Sequence, residues 1–235
     1  MAAKKGQNFE REICKLLSIW WTSGIKDDIF WRTPGSGAKA TNRAKKGLTT
    51  HDSYGDVMAM HVFGKPLTNK FVISIKRGYT TKKPGGKNLR CLDLTDLLDK
   101  PDNLKTNPLL VDWWQELEAD IRKSRRDKTG IIIARRDRRN AIIIMPRKIF
   151  TDIEAKKPCI FPMYNSGCWL QYRNLDLQIM QLNDFFYWCN PKLLGAKTFL
   201  RRPGERLNIN YIKPGPFPSL LRDYHEQLKK AICIV

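Results

Sequence analysis

Residues 55–78 read GDVMAMHVFGKPLTNKFVISIKRG, and the fold turns on how this stretch is parsed. Two runs alternate between apolar and polar positions, Asp56–Phe63 and Lys70–Lys76. Between them lies Gly64-Lys-Pro-Leu-Thr-Asn69, which has the composition of a turn. The reading is a β-hairpin in which Phe63 pairs with Asn69, Met58 with Ser74 and Asp56 with Lys76. That register gathers Val57, Ala59, Phe63, Phe71, Ile73 and Ile75 on an apolar face. Asp56, Ser74 and Lys76 share the other face, and a slip of one residue would dissolve both groups.

Working outward, residues 6–21 place Phe9, Ile13, Leu16, Leu17 and Trp20 at helical spacing, with Glu10 on the edge of the stripe. Ile29–Thr33 is a short strand. It runs into a basic, glycine-bearing loop from Pro34-Gly-Ser-Gly-Ala38 through Lys39, Arg43, Lys45 and Lys46, suited to contacting phosphate. Beyond Gly78 a second basic loop leads to a helix beginning near Leu92–Leu98. A further helix spans 110–126, with Trp113, Trp114, Leu117 and Ile121 on one face. Thr129–Ala134 and Ala141–Met145 are near-continuous apolar runs, as central strands buried on both faces require. Arg135, Arg136, Arg138 and Arg139 lie in the turn between them. Residues 148–235 carry weaker signals: a strand at 175–180, a helix at 182–188 and an amphipathic helix at 219–231. The division expected is a core over 1–147 and a C-terminal elaboration or small second domain over 148–235.

Composition narrows the class of partner. A chain of 235 residues with 42% apolar content can bury a core, so it is not a disordered tail. Forty-three Lys and Arg against 23 Asp and Glu give a formal charge of +20, which fits a polyanionic partner. Nucleic acid, and DNA in particular, is the expectation. A membrane is not, because no apolar run approaches the roughly 18 residues needed to span one. The N-terminus lacks a signal peptide's apolar region, and a cytoplasmic location is expected. The six cysteines are scattered and read as free thiols, and His51, His61 and His225 stand apart from one another.

Hydrolysing a phosphodiester requires carboxylates to hold a divalent cation and a group to orient the attacking water. Asp56 offers a hard oxygen, Lys76 can hold water or phosphate, and the backbone carbonyl of Ile75 is a further candidate ligand. The ordered series Gly6-x-x-Phe9-Glu10-Arg11, Arg32 followed by Gly35-Ser36-Gly37, Gly55-Asp56 and Lys76-Arg77-Gly78 resembles the PD-(D/E)xK nuclease superfamily. The likeness is greatest to its Holliday-junction-resolvase-like and phage-type members.

This resemblance covers roughly residues 6–100, and less specifically extends to 145. It implies an α/β, restriction-endonuclease-like mixed sheet flanked by helices, a Mg²⁺ (or Mn²⁺) site and a bacterial or phage-infected cell. It assigns Glu10 and Asp56 to the metal and Lys76 to water activation, and it places Ser36 near the phosphate. Arg32, Arg77, the loop lysines and the turn arginines would meet the DNA backbone. The activity implied is a structure-selective endodeoxyribonuclease acting on DNA that could be branched. A sequence-specific restriction endonuclease is the alternative within enzymes. Symmetrical cutting of both strands would favour a homodimer.

Ser74 departs from the pattern, since an acid is expected two residues before the lysine. A hydroxyl cannot replace a carboxylate's charge. Three explanations stay open. The acid has moved, with Asp93 and Asp96 at i, i+3 on the following helix as candidates; or the chain binds DNA without cutting it; or a glutamate was deliberately replaced.

Overall fold

The computed structural model describes residues 2–34, 54–78, 92–93, 97, 107–124, 127–156 and 167–197. Helix α1 (Ala2–Trp21) is followed by the short strands β1 (Phe30–Arg32) and β2 (Val57–Ala59), which pair antiparallel with Trp31 opposite Met58. A 3₁₀ turn at Val62–Gly64 and a short helix α2 (Lys65–Lys70) lead into β3 (Phe71–Gly78). Helix α3 (Leu109–Lys123) precedes β4 (Thr129–Arg136) and β5 (Ile142–Pro146). Then come α4 (Arg147–Lys156), β6 (Gly167–Tyr172), β7 (Leu175–Gln181), α5 (Leu182–Trp188) and a 3₁₀ turn at Pro191–Leu194.

Five strands form one mixed sheet in the order β3-β4-β5-β7-β6. The β3–β4 pair is parallel, and the other three pairings are antiparallel. Because β7 pairs with β5 from Ile142↔Gln181 to Pro146↔Leu177, the strands within residues 167–181 extend the sheet begun by residues 71–146. The fold is thus α/β with helices on both faces of a mixed sheet, as the restriction-endonuclease-like expectation holds.

Alternation along each strand divides the core in two. On one face Phe71, Ile73, Ile75, Ile131, Ile133, Ile143 and Met145 pack under Phe9, Ile13 and Leu17 of α1, Ile149 and Ile153 of α4, and Phe185 and Trp188 of α5. On the other face Val72, Ile132, Ala134, Ile144, Leu177 and Ile179 meet Leu110, Trp113, Trp114 and Leu117 of α3, together with Leu92 and Leu97. Gly130 lets α3 come close, since a Cβ there would lie 2.6 Å from Leu117 Cδ2. A parallel β3–β4 pair needs a crossover connection, and α3 lies on it.

The expected hairpin is not formed. Residues 62–69, read as strand end and turn, and Lys70, read as the start of the second strand, are helical, with Pro66 in the first turn of α2, where its missing N–H costs nothing. The packing of Gly64 explains why. Its Cα sits so near Ile29, Phe30 and Ala59 that a Cβ would meet all three within 3.0 Å, which draws β2 onto β1. Trp21 Nε1 fixes the same bend by donating to the Phe63 carbonyl at 2.7 Å. Phe63 therefore leaves the shared apolar face, whereas Val57, Phe71, Ile73 and Ile75 stay together in one core cluster. The registers of Asp56 with Lys76 and Met58 with Ser74 are replaced by β2 on β1 and β3 on β4.

Candidate active site

Asp56 reaches β3 by another route than a hairpin. Gly55 adopts φ +78°, and a Cβ on it would stand 2.7 Å from the Ile73 carbonyl oxygen, so only glycine brings the chain this close. Asp56 then donates its N–H to Ile73 O at 2.8 Å. Its carboxylate Oδ2 accepts the Ile75 N–H at 2.6 Å, and the Ser74 hydroxyl lies 3.4 Å from the same oxygen. The N–H and C=O of one strand residue point to the same side. The Ile75 carbonyl is accordingly turned to the edge where Asp56 sits. On its other side Asp56 is tied to β1, its carbonyl accepting the Thr33 N–H at 3.0 Å.

Glu10, on α1, is held by Arg32 of β1, whose Nε donates to Oε2 at 2.8 Å. Both side chains are mostly buried, at 15% and 18% exposure, so this is a charge-assisted bond with little solvent screening. The buried Cys14 senses the group. Its thiol is pushed up to about 12 by burial first, then by the charges of Glu10 and Asp56, with Arg32 opposing them. The carboxylates of Glu10 and Asp56 therefore border one thiol on the α1 side of β3.

Lys76 points to the opposite face. Its Nζ donates to Glu116 Oε2 of α3 at 2.6 Å. Glu116 was not anticipated from the sequence. The usable signal was topological, since a helix on the crossover between parallel strands lies against the sheet. An acid flanking the stripe of Trp113 and Leu117 then falls near the outward positions of β3.

The arginines divide into two kinds. Arg135 forms a two-pronged pair with Glu12, at 2.6 and 2.7 Å, and its guanidinium lies 4.2 Å from the centre of the Phe9 ring. Arg77 lies 5.7 Å from the same ring centre and 3.9 Å from Asp137. Arg136, Arg138 and Arg139 are exposed, and Arg138 takes a left-handed φ of +60° at the turn. Asp93 is exposed, while Asp96, Ser36, Lys39, Arg43, Lys45 and Lys46 lie outside the described residues.

Among the described residues no three His, Cys, Asp or Glu side chains gather to hold a metal ion. Mg²⁺ asks for less, being commonly bound through one or two carboxylates with water and substrate phosphate filling the rest. The hard oxygens of Asp56 and the Ile75 carbonyl fit that demand. Thr33, bonded through its backbone to Asp56, also has a buried hydroxyl without a hydrogen-bond partner among the described residues. No helix among the described residues is long and apolar enough to cross a membrane.

No curated protein and no solved structure matches the chain. Residues 1–83 match the model of the family described as "Phage putative PDDEXK endonuclease". The matched segment runs from α1 through β3, and so contains Glu10, Arg32, Asp56, Ser74, Ile75 and Lys76. Over this segment, about a third of its length, the chain is similar to the phage-type PD-(D/E)xK endonuclease family.

Proposed function

We propose that the protein is a Mg²⁺-dependent endodeoxyribonuclease that recognises DNA by backbone charge and shape more than by base edges. The observation that carries this reading is the seat of Asp56, whose carboxylate is fixed by the Ile75 N–H at 2.6 Å beside the outward Ile75 carbonyl. Asp56 and that carbonyl would hold the ion, with Glu10 available on the α1 side once released from Arg32. When bound, Mg²⁺ supplies positive charge to the scissile phosphate. Lys76, one residue further along β3, presents an ammonium with three donors that can orient the attacking water or a phosphate oxygen. Ser74 donates toward Asp56 and adds no charge. Exposed Arg136, Arg138 and Arg139, together with the net charge of +20, support contact with the phosphate backbone.

Incubating the full-length protein with supercoiled, single-stranded, branched and linear DNA, in Mg²⁺ or in chelator, tests this. Cleavage of at least one substrate is expected in Mg²⁺ alone, lost in Asp56→Asn and strongly slowed but still measurable in Lys76→Ala. Variants that cut as well as the parent would sink the assignment. Faster cutting of branched than linear DNA would add the resolvase-like preference.

A second reading, a DNA-binding protein that does not cut, is favoured by one observation: position 74 carries a hydroxyl where the family pattern has an acid. Under that reading no substrate is cut, DNA is still bound, and Ser74→Glu creates activity.

A further inference from the structure

Lys76 is a long, flexible side chain, and its usefulness depends on where its ammonium is held. Its side chain is mostly covered, at 19% exposure, and its end is met by Glu116 at 2.6 Å, whose own side chain is 63% exposed. The pair thus stands at the mouth of the face between β3 and α3, in reach of water and of a substrate.

The helix beneath Glu116 is firmly seated. Trp113, Trp114 and Leu117 are buried against the sheet, and Leu117 closes over Gly130. The other acids of α3 with a named partner are turned elsewhere, Asp112 to Asn107, Glu118 to Arg122 and Asp120 to Lys123. On β3, Ser74 contributes no charge that could direct Lys76, and the Asp56 carboxylate is turned to the Ile75 N–H.

We propose that Glu116 is a positioning residue for Lys76: from α3 it supplies the negative charge that β3 lacks at Ser74, and it fixes the ammonium at the mouth of the face between β3 and α3. This rests on the nuclease reading of Asp56 and Lys76. Glu116 acts through the lysine and need not touch DNA.

The test uses the full-length protein and its Glu116→Gln, Glu116→Asp, Lys76→Ala and Lys76→Ala/Glu116→Gln variants, with Asp56→Asn as the control for the site. Single-turnover cleavage, DNA affinity by fluorescence anisotropy and thermal melting are measured on each. Glu116→Gln is expected to slow cleavage by roughly 10- to 100-fold with affinity changed by less than about 3-fold, as for an interaction made at the reacting centre. Glu116→Asp should fall between the two. The double variant should be no slower than Lys76→Ala alone, because groups that act as a unit are not additive.

A readout independent of cleavage is acylation of the metal-free protein by acetic anhydride, followed residue by residue by mass spectrometry. Lys76 should react at least about 3-fold faster in Glu116→Gln, since the side-chain nitrogen is then no longer held against the Glu116 carboxylate and is freer to meet the reagent. Equal acylation, wild-type cleavage by Glu116→Gln, or fully multiplicative loss in the double variant would overturn the role of Glu116. If the wild type cuts and Asp56→Asn does not, that failure leaves the nuclease reading standing. If the wild type cuts nothing, the nuclease reading falls, and this role with it.

Discussion

The Asp56 carboxylate accepts the Ile75 N–H at 2.6 Å while the Asp56 N–H donates to Ile73 at 2.8 Å, so one residue satisfies two neighbouring outward groups of β3. Asp56→Ala and Asp56→Asn should therefore separate fold from chemistry. Alanine leaves the N–H of Ile75, a residue only 7% exposed, without its acceptor, and should cost about 1–3 kcal/mol. Asparagine keeps an acceptor and should lie within about 1 kcal/mol of the parent. Both should abolish cleavage. Urea denaturation followed by tryptophan fluorescence measures the difference, and equal stability of the two variants would contradict this account of the bond.

Gly55→Ala is expected to damage the same place from the backbone. At φ +78° an L side chain is strained, and the new Cβ would stand 2.7 Å from a carbonyl oxygen of β3 that cannot retreat without breaking the sheet. A loss of about 1–3 kcal/mol is expected, with cleavage reduced because Asp56 is displaced. A fully active, fully stable Gly55→Ala protein would show that Asp56 is placed by something else.

Much of this was legible in the sequence, for identifiable reasons. Period-2 alternation sorted Phe71, Ile73 and Ile75 from Val72, Ser74 and Lys76, and the structure puts Ile73 and Val72 in opposite core clusters. Apolar runs announced β4 and β5, and a helical stripe announced α1 and α3. The hairpin failed because alternation specifies which face a residue takes and not which strand it pairs with. Three residues of β2 carry too little pattern to choose between β3 and β1, and the deciding contact, Gly64 against Ile29 and Phe30, is long-range. Strand β6 escaped notice because most of its side chains are exposed, which leaves no apolar alternation to read. Glu116 escaped because pairing across 40 positions leaves no local trace.

The arginines of the β4–β5 turn should separate in a salt titration. Arg138→Ala and Arg139→Ala should each weaken DNA binding and reduce the slope of log affinity against log salt by about 1. Arg135→Ala should instead cost stability, because it removes the pair with Glu12 and the stack on Phe9. Even Arg135→Lys should fall short, since an ammonium cannot reproduce the two-pronged contact. A salt slope that drops as much in Arg135→Ala as in Arg138→Ala would show that Arg135 meets phosphate after all.

Cys14 ties the site to pH. Its thiol is raised to about 12 in the folded protein from an ordinary value of 9.0, mainly by burial. The folded chain therefore keeps a proton that the unfolded chain has lost between those values, so this contribution to stability is intact below pH 9 and declines as pH rises toward 12. Cys14→Ala should flatten the fall in stability over that range, measured by urea denaturation at stepped pH. At pH 8 iodoacetamide should modify exposed Cys168 well before Cys14, as peptide mass spectrometry would reveal. Rapid alkylation of Cys14 in the native protein would contradict its burial.

The place of Asp56 also bears on self-association. Strand β3 ends the five-strand order, and a terminal strand with unsatisfied amides invites a second chain to add its own strand there. By occupying the Ile73 carbonyl and the Ile75 amide, Asp56 covers two groups of that row and leaves an incoming strand fewer to pair with. An acceptor at position 56 would thus be favoured even in a protein of this fold that did not cut DNA. Retention of this aspartate is therefore weaker testimony to activity than retention of Lys76.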